Sequence, residues 1–373
     1  MSNTTRNRVI YQSQALFAAP TGTTMVTSAD HSLRRVQSCN YNFSVTRQDI
    51  NQYGELAAID RLILQEPTVA VDLSYYFEPT GFNEAHLGFR TNAATGTSTV
   101  TDHMLDYVIS SGADYDQKNI YVLVSDAGID ANDSTAMSAS TVEGIIGIGN
   151  AFLTSWSLDA AVGAIPTVSC ALEGQNIVFT GGGGSYDIGN PAVVDGVDVT
   201  STLVTLPDGA GMFNSNSEVS AVRPGDITLT LGTTNSDNTP MFGLSESDLK
   251  IQSASVAMTI GREPIRKLGK AFAFAREITF PINCTMSVNA IVGTTATNKL
   301  YTLMTTNGDN TKYYCELKLV GYQGATAHTA YIMLKGAKLD SQNFTSSIGP
   351  NQTVTLELSA QIGRNSGLHF KAD

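Results

Sequence analysis

Charge is scarce in this chain of 373 residues, and positive charge scarcer still: Asp, Glu, Lys and Arg make up 15% of it, with 22 basic against 34 acidic side chains. That shortage argues against a surface that grips nucleic acid by its phosphates, which takes clustered Lys and Arg. The deficit is uneven, since residues 1–180 carry 8 basic and 18 acidic groups (8 − 18 = −10) and residues 181–373 carry 14 and 16 (14 − 16 = −2). Cysteine is limited to Cys39, Cys170, Cys284 and Cys315 without CxxC spacing, so these read as buried free thiols rather than a metal or disulfide framework. The opening MSNTTRNRVIYQS has no apolar core and no run of eighteen apolar residues exists, so neither a signal peptide nor a membrane span is expected. Synthesis is accordingly placed in the cytoplasm.

Signatures of chemistry are equally thin. There is no GxSxG elbow. Gly181–Gly184 is not followed by Lys-Ser or Lys-Thr, and the Ser185-Tyr186-Asp187 that does follow has the wrong charge for a phosphate loop, so a linker or turn is the better reading. Asp126, Asp130, Asn132 and Asp133 offer oxygen ligands but lack the Gly and terminal Glu of a calcium loop. His31, His86, His103, His328 and His369 are scattered, none with a second His or Cys at ligand spacing. Asp102-His103 is an adjacent acid–imidazole pair, and an Asp in the first turn of a helix is favoured by the helix dipole alone. No catalytic, cofactor-binding or metal-binding residues are assigned, and an enzyme is not expected.

What the chain does have is repetition. Val36–Phe77 matches Ile251–Val292 at a constant offset of 215, with identities at Gln37/Gln252, Ser38/Ser253, Arg47/Arg262, Ile50/Ile265, Gly54/Gly269, Ala58/Ala273, Arg61/Arg276 and Ile63/Ile278. The phase of the apolar residues strengthens the match. Tyr41, Phe43, Val45 fall on Val256, Met258, Ile260, and Val69, Val71, Leu73, Tyr75 fall on Cys284, Met286, Val288, Ala290, with the period of two proper to half-buried strands. This is a duplicated unit of strand, charged loop and strand.

The duplication extends outward. Val9–Phe17 reads as an opening strand of the first unit, and Ile227, Leu229, Leu231 after the Pro224-Gly225 turn as that of the second. Thr101–Ser111, with Thr101 as N-cap and Gly112 as stop, predicts a short amphipathic helix, matched by Asn298–Asn307. Strands resume at Asn119–Ser125 and Lys312–Val320. Phe152, Leu153, Leu158 and Asp159 then align with Met333, Leu334, Leu339 and Asp340 at offset 181, and Thr167, Val168, Leu172 with Thr353, Val354, Leu358 at offset 186. At 373 residues two domains, each burying its own core, are expected: 1–180 and 222–373, with 181–221 a Gly-rich linker or hairpin insertion. With Gly at 33 residues and recurrent Ser, Thr, Asn, Val and Ile, the fold class expected is mainly β, two tandem sandwich or barrel-like domains each with one short flanking helix.

The repeated loops differ in charge. The second holds Arg262, Arg266, Lys267, Lys270 and Arg276 against Glu263 and Glu277, the first Arg47 and Arg61 against Asp49, Glu55 and Asp60. Either these are solvated faces, or the basic second unit of one chain meets the acidic first unit of its neighbour and closes a ring, in which case reversing Arg266 and Lys267 impairs assembly more than folding.

The run RRVQSCNYNFSVTRQDINQYGELAAIDR, followed by PTVAVDLSYYF and NEAHLGF, resembles the tail tube proteins of tailed bacteriophages over roughly residues 33–90, and the second copy extends the likeness by internal symmetry. The resemblance implies a β-sandwich or barrel-like fold with a flanking helix, whose sheets join between subunits into a barrel around a lumen, with rings stacked through long loops. A duplicated domain implies three chains per ring where single-domain relatives use six. It also implies a virion location after assembly in the host bacterial cytoplasm, self-association, and tape-measure, baseplate and tail-terminator proteins as partners. DNA would pass through without specific binding, and no membrane is involved. The other readings are a ring-forming baseplate, terminator or secretion-system tube protein of the same fold, and a β-rich binding module or hydrolase.

Overall fold

Period-two alternation with little helix-favouring sequence makes strands of most of the described residues. The computed structural model describes residues 13–63, 66–93, 102–110, 113–132, 137–181, 185–208, 220–232, 249–292, 312–345, 351–363 and 366–372. The first unit contains β1 (Gln14–Pro20), β2 (Val36–Ser44), β3 (Arg47–Ile50), β4 (Asp60–Ile63), β5 (Thr68–Tyr76), β6 (Asn92–Ala93), β7 (Gln117–Ser125), β8 (Val142–Ala161), β9 (Thr167–Gly174) and β10 (Asn176–Gly181). Four short strands follow: β11 (Asp187–Gly189), β12 (Val193–Val194), β13 (Val197–Asp198) and β14 (Leu203–Thr205). The second unit contains β15 (Ile227–Gly232), β16 (Leu249–Ile265), β17 (Ala275–Val292), β18 (Tyr313–Gln323), β19 (Thr326–Thr345), β20 (Thr353–Gln361) and β21 (Gly367–Ala372). The opening strand thus runs from Gln14 to Pro20, later than the expected Val9–Phe17, of which residues 9–12 lie outside the described residues.

The pairing of these strands repeats as the sequence does. In the first unit the order is β1-β7-β8-β9-β5-β2 and in the second β15-β18-β19-β20-β17-β16, the same topology throughout. Each long twenty-residue strand also receives a returning strand on its first half, β10 on β8 and β21 on β19, an element absent from the sequence reading. The shared residues turn out to hold the shared irregularities. Both first hairpins carry a bulge at the repeated glutamine, and Gln37 Nε2 donates to Arg35 O at 3.0 Å as Gln252 Nε2 does to Lys250 O at 3.1 Å. Both loops are closed alike, by Ile59 N to Ile50 O at 2.8 Å and Phe274 N to Ile265 O at 3.0 Å. At their tips Gly54 and Gly269 have φ of 90° and 81°, a conformation that disfavours any residue with a Cβ.

The ladders correct one alignment. Lys118 pairs with Ala151 and Tyr313 with Ala337, and the adjacent bulge residues Asn150 and Gly336 both have positive φ, 50° and 67°. Further along, Leu153 opposes Leu172 and Leu339 opposes Leu358, each followed by a bulge. The two long strands therefore correspond at offset 186, so that Leu158 and Asp159 match Phe344 and Thr345 rather than Leu339 and Asp340. A recurring Leu-Asp dipeptide suggested the other phase, but cross-strand partners fix the register of a strand and a dipeptide does not.

Among the described residues, α-helix is confined to short turns: α1 (Ser28–His31), α2 (Phe82–His86), α3 (Asp106–Ser110) and α4 (Ala113–Asp116). Of the helix expected over 101–111, the N-cap Thr101, Ser111 and the stop Gly112 lie outside the described residues, and within 102–110 only α3 is helical, because Met104 donates its N–H to Leu368 O and gives its carbonyl to Arg90 N, both at 2.8 Å, which removes that residue from any helical ladder. The matching stretch 298–307 lies outside the described residues. Between the units, β11 pairs with β14 and β12 with β13, so the insertion forms small hairpins. Ile188, Val204 and Leu206 pack with Phe17, Tyr121, Leu123 and Ile145 of the first unit in one cluster. The larger core takes side chains from both units, among them Trp156, Val71, Val256, Met286 and Leu358.

Candidate functional site

Two features of the sheet stand out: a polar face that runs across both units, and the junction that makes it continuous. The path β19-β20-β17-β16-β8-β9-β5-β2 is joined at its centre by antiparallel pairing of β16 with the second half of β8, from Ser253 opposite Ala161 to Thr259 opposite Ser155. One side of these strands faces the core. The other is built from small hydroxyl and amide side chains, as two rungs illustrate. One passes from Ser38 through Ser74, Ser169, Ser157, Ala257, Thr285 and Ser359 to Lys338, and a parallel one from Thr167 through Asp159, Ser255, Ser287 and Glu357 to Ser341. Side chains bond across adjacent strands: the Ser38 and Ser74 hydroxyls at 2.5 Å, and the Ser287 hydroxyl donating to the Glu357 carboxylate at 2.7 Å. Asp72, opposite both Asn40 and Ala171, lies on the same side. Over these positions three carboxylates (Asp72, Asp159, Glu357) accompany one ammonium (Lys338), a formal −2.

The junction is clamped by the basic loop of the second unit. Arg262 reaches across to Asp116 at 2.6 Å and to Leu153 O at 3.1 Å, with its guanidinium 4.9 Å from the Phe152 ring centroid. Arg276 contacts Glu66 at 3.1 Å and Glu173 at 2.6 Å. Glu66 also accepts from the backbone N–H of Ala273, and Arg266 stands 3.6 Å from it, while Lys267 pairs with Asp195 at 2.5 Å. The meeting of a basic second unit with an acidic first unit thus occurs within one chain. Arg266 and Lys267, read from the sequence as candidates for a contact between chains, are engaged inside this one. The reason is geometric: β16 lies next to β8, so its loop projects over the first unit's own carboxylates.

Among the described residues, no group of three or more His, Cys, Asp or Glu is placed to hold a metal ion. Asp102 pairs with Arg90 at 2.8 Å. Burial lowers the basicity of His31, His86 and His103, and pushes His369 down to about 3. All four thiols are free, and burial holds Cys39, Cys284 and Cys315 at about 12 and raises Cys170 as well, which makes them poor nucleophiles. Asp130 merely accepts from Asn132 N at 3.2 Å, and Asp133 and Gly182–Gly184 lie outside the described residues. Glu84, unremarked in the sequence, is fully buried, accepts from Tyr75 OH at 2.8 Å and is raised by desolvation to about 7. Its N–E–A–H context carries no periodic signal that would have betrayed this. No helix among the described residues is long and apolar enough to cross a membrane.

No family model matches this chain, and no curated protein does. Among solved structures, it is similar to a chain in the tail of an empty gene transfer agent particle computed with helical refinement and C6 symmetry, at 11% identity, over 32% of this chain and 81% of that one, with a TM-score of 0.21. It is likewise similar to a chain of the virion of a native gene transfer agent particle, at 10% identity, over 34% and 98%, also with a TM-score of 0.21. Likeness at that level carries no argument about this chain, whose function has to be read from its own geometry.

Proposed function

We propose that this chain is a structural subunit of a bacteriophage tail tube, with rings of three chains stacking around a lumen that conducts DNA. The observation that carries this reading is the fusion of two copies of one six-strand unit edge to edge, which among the described residues leaves eight strands with a single polar face and an open edge at each end. A sheet with two long open edges is an aggregation hazard unless it closes, and closure into a ring removes the edges. Three chains contribute 24 such strands (3 × 8). At about 4.8 Å per strand and an ordinary tilt, that barrel is roughly 40–50 Å across between backbones, wider than the barrels that already leave an aqueous channel.

The polar face suits the inside of such a bore. Serine, threonine and asparagine side chains present no clustered cations, and a modest negative potential from Asp72, Asp159 and Glu357 lets a polyanion slide rather than stick. Tape-measure, baseplate and terminator proteins are the further partners this role brings, with assembly in the host bacterial cytoplasm and residence in the virion. Catalysis has no part in it.

Negative-stain microscopy of the purified protein is the test, with the mass of isolated rings to count chains. Hollow tubes and a trimer mass are expected. Persistent monomers under all conditions would remove the proposal. Stable closed rings that never polymerise would favour a baseplate, terminator or secretion-system ring protein instead.

A further inference from the structure

The junction inside the chain has a counterpart at its ends. Subtracting 215 from β16 gives β2, and adding 186 to β8 gives β19, the two correspondences fixed by the shared bulges at Gln37 and Gln252 and at Asn150 and Gly336. β16 and the second half of β8 are paired to each other, whereas among the described residues the outer edge of β2 and the outer edge of the second half of β19 have no strand beside them. Exposure follows this difference. On the paired strands Val256, Met258 and Leu158 are 0%, 2% and 0% exposed, but their counterparts Tyr41, Phe43 and Phe344 are 41%, 47% and 44% exposed. Large apolar side chains on an open edge, at positions buried in the duplicate, mark a contact that a single chain leaves incomplete.

We propose that the intrachain junction is the template for the contact between chains: β2 of one chain pairs antiparallel with the second half of β19 of a second copy. The register is then determined. Val256 opposite Leu158 becomes Tyr41 opposite Phe344, and Thr259 opposite Ser155 becomes Ser44 opposite Ser341, with Asn42 opposite Asn343 between them. The two exposed aromatic residues meet across the ladder. This rests on the tube reading and specifies its partner surface.

The repeated arginines agree. Arg262 and Arg276 clamp the internal junction, their side chains 3% and 4% exposed, and their repeats Arg47 and Arg61 flank the open edge in exposed positions. One part of the clamp is not repeated. At offset 215 the position of Glu66 is taken by Pro281, which has no carboxylate to offer, and Arg61 instead pairs with Asp49 of its own hairpin at 2.5 Å. The contact between chains therefore lacks the buried Glu–Arg pair of the contact within them, and rings open there first.

A cysteine pair tests the register. In a Cys39→Ala background, which matches Ala254 in the duplicate, Asn42→Cys with Asn343→Cys is assembled, oxidised and run on a non-reducing gel, beside Asn42→Cys with Thr345→Cys as the displaced control. A covalent ladder from the first pair and not the second is expected. Tubes in the microscope with no link, or with the link in the displaced pair, overturn the register and leave the tube reading intact; monomers in the microscope, from these variants and the unmodified chain alike, overturn both. Tyr41→Asp provides an independent check without thiols: it keeps the circular dichroism spectrum of the parent and loses at least ten-fold in tube yield, and an unchanged yield overturns the proposal.

Discussion

Arg276 Nη2 lies 3.1 Å from Glu66 Oε1, and the two side chains are 4% and 2% exposed, one from each unit of the duplicated chain. An ion pair this deeply buried is defined by what its loss leaves behind. Glu66→Ala strands Arg276 with Glu173 alone and frees the Ala273 N–H. It is expected to destabilise the chain by about 3 kcal/mol, read as a fall in the denaturant midpoint. A change below about 1 kcal/mol would mean that the two units are held together elsewhere.

The same strand in its two copies provides a paired comparison. Met258→Ala removes a buried side chain and is expected to cost about 3 kcal/mol, whereas Phe43→Ala at the repeated, half-exposed position is expected to cost under about 1 kcal/mol in the isolated chain. Chemical denaturation of the unassembled protein measures both. Equal costs would show that the outer edge of β2 is already covered within one chain.

Glu84 makes stability depend on pH. Desolvation raises its carboxyl from the usual 4.5 to about 7, so the folded chain holds a proton that the unfolded chain has released between those values. The associated stability is complete below pH 4.5 and is lost as pH rises through 7, an effect of roughly 3 kcal/mol at the usual 1.36 kcal/mol per unit. Glu84→Gln retains an acceptor for Tyr75 OH and cannot ionise, so unfolding free energy measured from pH 4.5 to 8 should lose that decline. If the slope is the same in the variant and the parent, another group is responsible.

Charge on the polar face should govern how DNA meets a tube. Asp72→Lys with Asp159→Lys changes the formal −2 of the face to +2 (−2 + 4) without touching the apolar side of the strands. Tubes of the double variant are expected to retain duplex DNA in filter binding at low salt and to release it as salt rises, while the parent retains none. No retention by the variant would argue that this face does not line the bore.

The repeat, its period-two strands and the mainly β fold were legible in the chain itself, because alternation and identities at a constant offset are local properties. Gln37 and Gln252, Gly54 and Gly269 stand out in the sequence only as identities of the repeat, and the bulges and tight turns they hold belong to the ladders. The returning strands β10 and β21 carried no comparable signal, and the Leu-Asp dipeptide misplaced the long strand by five residues, since only a ladder sets phase. Least legible was the junction. Nothing near Met258 in the sequence points to Trp156, and the loop charges suggested a neighbouring chain when the carboxylates they meet, Asp116, Glu66 and Glu173, belong to the same one. Sequence by itself determined the unit and its doubling. Which edges meet, which arginines are buried and which aromatics are left exposed were decided by tertiary structure, because edge pairing depends on shape and register across a hundred residues rather than on any local preference.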